Sequence, residues 1–318
     1  MSQPYLSVVI PIFNEQENIP ALWERLSNTL RANFTTPERE WEVVFTDDGS
    51  RDNSLALLSE IAAQESRVTV VEFNRNYGQH SAIFGAFALV QGRVVVTLDA
   101  DLQNPPEEIP KLVAKIDEGF DVVGGWRQGR MDNDSLFRTL PSKIVNAVTR
   151  KTTGVRMNDY GCMLRAYRRE VVDAMLQCRE RSSFIPALAN SFAKRIAEVP
   201  VGHAERAAGE SKYGIWKLIN LQFDLLTSFS LLPLQMLSVF GAGISVLGVG
   251  FGIYLMIYRV LHPEGTVQGV FTLFAILFIF VGAQFLAFGL LGEYIGRIYQ
   301  EVRDRPRFVV KKIHRTVK

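Results

Sequence analysis

Between Leu225 and Tyr258, and again between Gly265 and Gly292, the chain contains no Asp, Glu, Lys, Arg or His. Each stretch is longer than the roughly 20 apolar residues needed to cross a hydrocarbon core, and a helix satisfies its own backbone polar groups there. The sequence therefore predicts two membrane-spanning helices, beginning near Pro233 and Val267, joined by a tiny external hairpin around His262. Gly241, Gly243, Gly248, Gly250 and Gly252 imitate a nucleotide-binding loop, but inside an apolar span close helix packing accounts for them better. From Glu293 onward Arg297, Arg303, Arg305, Arg307, Lys311, Lys312, Arg315 and Lys318 face only three acids. This basic tail, residues 293–318, predicts that both termini are cytosolic and that the tail is a membrane-surface anchor.

Ahead of the hairpin at 233–292, the pattern changes to short β-rich runs separated by amphipathic stretches. LSVVIPI, WEVVFTDD, VTVVEFN, RVVVTLDAD and DVVGGW read as strands; IPALWERLSNTLRA, SLALLSEIAAQ, SAIFGAFALV and PKLVAKIDEG read as helices. Such alternation predicts an α/β domain with a doubly wound, mostly parallel sheet over residues 1–210. Sheets of this kind bind ligands beyond the carboxyl ends of their strands. Asn14 and Glu15, Asp47 and Asp48, Asn74 to Asn76, and Asp99 with Asp101 all fall at such ends, so polar chemistry gathers on one edge.

Other functions are excluded by composition. With 35 basic and 33 acidic residues the chain lacks the positive excess of a general nucleic-acid binder. Two cysteines, Cys162 and Cys178, and four scattered histidines support neither a disulfide framework nor a Cys/His zinc site. The N-terminus reaches LSVVIPIFNE without a basic, cleavable apolar leader, so the first domain is expected to stay in the cytosol.

Asp99 and Asp101 repel one another unless a cation lies between them, which makes the pair a candidate metal site. Just behind them Asn104, Pro105 and Glu107 read as an N-cap, a first-turn proline and a capping-box acid for the next helix. Two further segments, 136–151 and 211–232, have apolar residues on one helical face: Phe137, Leu140, Ile144 and Val148 in the first, Ile215, Ile219, Phe223 and Leu226 in the second. Both are expected to lie at the membrane interface, although packing on the soluble core gives the same period.

SVVIPIFNEQENI, TDDGSRDNS, NRNYGQHSAI, LDADLQNPPEEIP, NDYGCMLRAYRR and HAERAAGESKYG together resemble the inverting family 2 glycosyltransferases of the GT-A fold, in the branch that loads sugars onto polyprenyl phosphate. The resemblance covers almost the whole chain. It implies a UDP-sugar donor, 4-deoxy-4-formamido-L-arabinose being the sugar of the most similar branch members, and undecaprenyl phosphate as acceptor. It further implies Mg²⁺ or Mn²⁺, a lipid-bilayer partner, a homo-oligomer (a tetramer), a bacterial inner-membrane location, and a role in lipid A modification and polymyxin resistance. A bactoprenol glucosyltransferase or a dolichol-phosphate mannose synthase-like enzyme uses the same machinery on a different sugar.

The resemblance also assigns residues. Pro11, Phe13, Glu15, Asp47, Asp48, Asn76, Gly78, Asp99, Ala100 and Asp101 would bind the nucleotide, with Glu15 accepting from ribose hydroxyls and Asp48 from uracil. Asp99 and Asp101 would hold the metal. Asp159 takes the general-base position, and Asp101 and Arg206 complete the catalytic set. Arg206, Ser211, Lys212 and Tyr213 would clamp the diphosphate as a loop closes, while Arg127, Arg130 and Arg138 are candidates for the lipid phosphate.

Overall fold

β1 (Leu6–Ile12) buries every residue except Pro11, which is half-buried. Its side chains alternate between two cores, as the two-residue period of a strand requires: Leu6, Val8, Ile10 and Ile12 enter one, Val9 the other. In the computed structural model, which describes residues 3–127, 159, 161–178, 184–202, 232–261, 269–303 and 305–316, β1 lies inside an eight-stranded sheet.

Four strands are parallel neighbours. β1 pairs with β2 (Trp41–Asp47) on one side and β4 (Val94–Thr97) on the other, and β2 pairs with β3 (Val68–Phe73). On the first face lie α1 (Ile19–Asn33), α2 (Ser54–Gln64) and α4 (Ile109–Asp117); α1 buries Ile19, Leu22, Leu26 and Leu30, the stripe of an amphipathic helix. On the second lie α3 (Gln79–Phe87), α5 (Arg169–Gln177) and α6 (Ile185–Phe192).

The expected mostly parallel sheet becomes mixed beyond β4. β6 (Arg165–Arg168) runs antiparallel between β4 and β5 (Val122–Arg127), and β7 (Ile196–Val201) pairs parallel with β5. Reversing β6 brings its start to the edge where β4 and β5 end. At the opposite border, β8 (Val310–Arg315) returns from the C-terminus to pair antiparallel with β3. Part of the segment read as a basic membrane anchor is thus a sheet strand. Its charges have a local use: Lys311 Nζ and His314 Nε2 lie 2.5 and 3.0 Å from the buried carboxylate of Glu72, and Phe308 stacks on Phe73 at 4.8 Å.

Asn104 is not the helix N-cap that the sequence suggests. A proline pushes the preceding residue into extended backbone, and with Pro105 and Pro106 in succession only a single 3₁₀ turn, Pro106–Glu108, forms before α4. No side-chain cap bond is present at Pro105 or Glu108. Asn104 is buried and accepts from the Cys162 thiol at 3.6 Å, and Glu107 binds Arg25 of α1 through two bonds of 2.9 and 2.8 Å.

Chain contacts separate Met1–Leu218 with Arg305–Lys318 from a second unit, Ile219–Asp304. The second contains α7 (Leu232–Leu261), 30 residues with Arg259 as its one charge, and α8 (Val270–Val302), 33 residues with no charge before Glu293. Within this unit a Cβ on Gly248 would come within 3.0 Å of Phe280, so close packing explains that glycine; Gly241, Gly243 and Gly250 face open space. Among the described residues no helix is long and apolar enough to cross a membrane. Segment 136–151 and residues 211–231 lie outside the described residues.

Candidate active site

Because β1 to β4 are parallel, their carboxyl ends share one edge. The loop after β1 is pinned there by the loop after β2. Asn14, in the left-handed region at φ 56°, donates its N–H to Ser50 Oγ at 3.0 Å and accepts from the Arg51 N–H at 2.8 Å. The Glu15 N–H donates to Ser54 Oγ at 2.9 Å, and its carboxylate accepts from Asn18 at 2.6 Å. Pro11 is half-buried near the end of β1, and Phe13, just past it, is exposed at 42 %.

Asp47 and Asp48 are both buried at the end of β2, and burial pushes both carboxyls up from their usual range. Asp48 accepts from the N–H groups of Tyr77 and Gly78 at 2.7 and 2.8 Å, fixing the turn that carries exposed Asn76 and starts α3. Each oxygen keeps a lone pair for a ligand. Gly49 permits this arrangement: its φ is +71°, and a Cβ would lie 2.6 Å from the Arg75 backbone.

α3 then aims Gln79 at the end of β4, where its Nε2 donates to Asp99 Oδ1 at 2.6 Å. Ala100 is buried, Asp101 Oδ1 accepts from the Gln103 N–H at 3.1 Å, and Leu102 takes the left-handed φ of 60° that turns the chain after the acidic pair. Burial first, then the neighbouring Asp101 charge, push the Asp99 carboxyl up to about 7, against the pull of Arg127 and the Gln79 hydrogen bond. Charge this uncomfortable is what a divalent cation relieves. Among the described residues no group of three or more His, Cys, Asp or Glu forms a metal cage. The pair fits a hard cation that takes two protein oxygens and fills its other positions with phosphate or water.

Antiparallel β6 brings Asp159 to the same edge. Its carboxylate is held by Arg127, the last residue of β5, through bonds of 2.6 and 2.9 Å, with both side chains about one-tenth exposed. Asp159 Oδ1 also accepts from the Gly161 N–H at 3.0 Å, and the Asp159 N–H donates to Glu198 Oε1 of β7 at 3.1 Å. The sequence reading placed Arg127 with the lipid phosphate and Asp159 with the sugar; the structure joins them. Arg165, Gln79 and Glu198 do not stand out in the sequence, and Arg165 lies inside the motif NDYGCMLRAYRR, where an arginine suggests surface rather than core. Arg130, Arg138, Arg206, Ser211, Lys212 and Tyr213 lie outside the described residues. A hollow of about 400 Å³ lined by Gln3, Tyr5, Arg93, Asp117, Arg168 and Glu170, among others, lies at the opposite edge of the sheet and touches none of the predicted site residues.

Residues 7–176, from β1 to the last turn of α5, match the pattern of glycosyl transferase family 2. The chain belongs to that family. Family 2 relatives of similar length include the undecaprenyl-phosphate 4-deoxy-4-formamido-L-arabinose transferase of Shewanella sediminis, 56% identical over 311 residues, which cover 97% of this chain and 92% of the relative. The protein of the same name from Klebsiella pneumoniae is 54% identical over 312 residues, 98% of this chain and 94% of its own. Among solved structures, mannosyl-3-phosphoglycerate synthase from Rubrobacter xylanophilus superposes with a TM-score of 0.52 at 14% identity, covering 71% of this chain and 72% of its own, a likeness of fold alone. The mixed sheet is GT-A-like, and this family 2 glycosyltransferase gathers its strand-end carboxylates on one edge of it.

Proposed function

We propose that this glycosyltransferase moves 4-deoxy-4-formamido-L-arabinose from its UDP-linked donor to undecaprenyl phosphate, at the cytosolic face of the bacterial inner membrane, for lipid A modification and polymyxin resistance. One observation carries the reading: relatives named for that transfer are 54% and 56% identical to this chain over 98% and 97% of its length. Helices α7 and α8 would anchor it in the bilayer, and a tetramer is the proposed assembly.

Asp99 and Asp101 would hold Mg²⁺ or Mn²⁺, which when bound supplies positive charge for the departing diphosphate. Glu15, on its pinned loop, accepts from the ribose hydroxyls, and Asp48 uses its spare lone pairs on the uracil ring. Arg206, with Ser211, Lys212 and Tyr213, contributes donors to the diphosphate. Arg127 fixes Asp159 beside the sugar, and Asp159 aligns the acceptor. An acceptor phosphate oxygen then forms the new bond to the anomeric carbon as the bond to UDP breaks on the opposite face, so configuration inverts in one displacement. A phosphate monoester, with a second pKa near about 6, is largely dianionic at neutral pH and needs little help losing a proton. Alignment is therefore the larger task for Asp159.

The test incubates purified protein and undecaprenyl phosphate with a panel of UDP- and GDP-sugars and reads the lipid product by mass spectrometry. The formamido-pentose product supports the reading; a glucosyl or mannosyl product in its place refutes the sugar assignment.

A further inference from the structure

Arg165 is fully buried, 0% exposed, at the start of β6. Its backbone is registered with Thr97 of β4 and Gly124 of β5, so neighbouring strands fix its Cα on both sides. A buried guanidinium is costly, and an apolar side chain of similar size would fill such a sheet position without that cost. What it touches gives it a use. Nε donates to the Cys162 carbonyl and one Nη to the Asp159 carbonyl, each at 2.9 Å, so a single planar group ties the backbones of Asp159 and Cys162 together. Thr97 Oγ1 adds a bond of 2.6 Å to the Met163 carbonyl from the strand beside it. From β7, Glu198 takes the Asp159 N–H. Asp159 is thus gripped by its side chain from β5, by its carbonyl from β6 and by its amide from β7.

We infer that Arg165 is a positioning residue for the glycosyl transfer: its buried fork sets the backbone that carries Asp159, while donor binding rests on the separate loops that follow β1, β2, β3 and β4. The inference depends on the reading of Asp159 as the group that aligns the acceptor. A misplacement of about 1 Å at a reacting centre costs on the order of a hundredfold in rate. Lysine carries its three donors on one atom at the end of a flexible stem and lacks the rigid planar fork that holds the two carbonyls at a fixed separation.

The test is Arg165→Lys in the full-length protein, with Glu198→Ala as a second variant at a half-buried site. Three quantities are read: kcat, KM for the UDP-sugar with UDP affinity by calorimetry, and hydrogen exchange at the Gly161 amide. The expected result is a fall in kcat of about 10- to 100-fold, donor KM and UDP affinity within about twofold of wild type, and faster exchange at Gly161. Wild-type kcat in folded Arg165→Lys overturns the inference, as does a loss of donor affinity that matches the loss of rate. If Arg165→Lys fails to fold, Glu198→Ala decides by the same split. If the wild-type protein binds UDP but makes no lipid product, the functional reading fails instead. Exchange at Gly161 then judges the positioning role, and unchanged exchange in both variants overturns it.

Discussion

Asp159 carries a negative charge that Arg127 already answers with two hydrogen bonds. A carboxylate held by a two-point guanidinium fork is fixed in orientation, which suits an aligning group. Asp159→Asn keeps the shape and the bond to Gly161 but leaves a largely buried guanidinium without its counter-charge, so stability should drop by about 3 kcal/mol. Transfer should persist at a reduced level and rise as pH passes the acceptor phosphate pKa near about 6; no detectable transfer at pH 8 with normal UDP-sugar and lipid binding would make Asp159 an obligatory base. Asp99 and Asp101 predict the opposite pattern. Asp99→Asn or Asp101→Asn removes a repulsion that burial aggravates, so the fold should be kept or slightly stabilised in metal-free buffer. Metal-dependent transfer should fall about a hundredfold or more, the scale of several kcal/mol of charge stabilisation. Calorimetric titration of Mn²⁺ with UDP checks the cause, and unchanged metal binding would remove both residues from that role.

At the scale of elements, β8 is the piece whose importance the structure changes most. It supplies the neighbour that β3 would otherwise lack, and an unpaired β3 would be an open edge. Phe308→Ala removes the ring stacked on Phe73; it should cost about 2 kcal/mol, or about 4–8 °C in Tm, with UDP affinity retained. An unchanged Tm would mean that the tail strand contributes little. The nine elements from β1 to β5 could be read from sequence because apolar strands and amphipathic helices there keep clean periods, and their parallel order placed the carboxyl ends on one edge. β6, β7 and β8 could not. β6 is RAYR, whose core position is an arginine; β7 carries Pro200, which marks an edge; β8 is VKKIHR, whose charges make sense only once Glu72 is its neighbour. The site divides in the same way. Strand-end acids announce themselves, whereas a pair 32 residues apart such as Arg127 and Asp159 needs the reversed strand to bring it together.

For the whole molecule, the chain leaves the catalytic unit near Leu218 and re-enters it at Arg305. Truncation after Leu232 therefore removes β8 along with the hydrophobic helices, and should give an unstable, aggregating domain. Excising Ile219–Asp304 behind a short Gly/Ser linker while keeping Arg305–Lys318 should give a soluble domain that binds UDP and transfers poorly to acceptor embedded in a bilayer. Full activity of the excised protein on membrane acceptor would contradict the anchoring role of α7 and α8. The reaction itself is read most directly from the mass of the lipid that purified protein makes from undecaprenyl phosphate when UDP-linked 4-deoxy-4-formamido-L-arabinose competes with UDP-glucose and GDP-mannose. One product is expected, undecaprenyl phosphate carrying the formamido-pentose, dependent on added Mg²⁺ or Mn²⁺ and missing with Asp101→Asn; a hexosyl product, or the same yield without divalent metal, would contradict the proposed reaction.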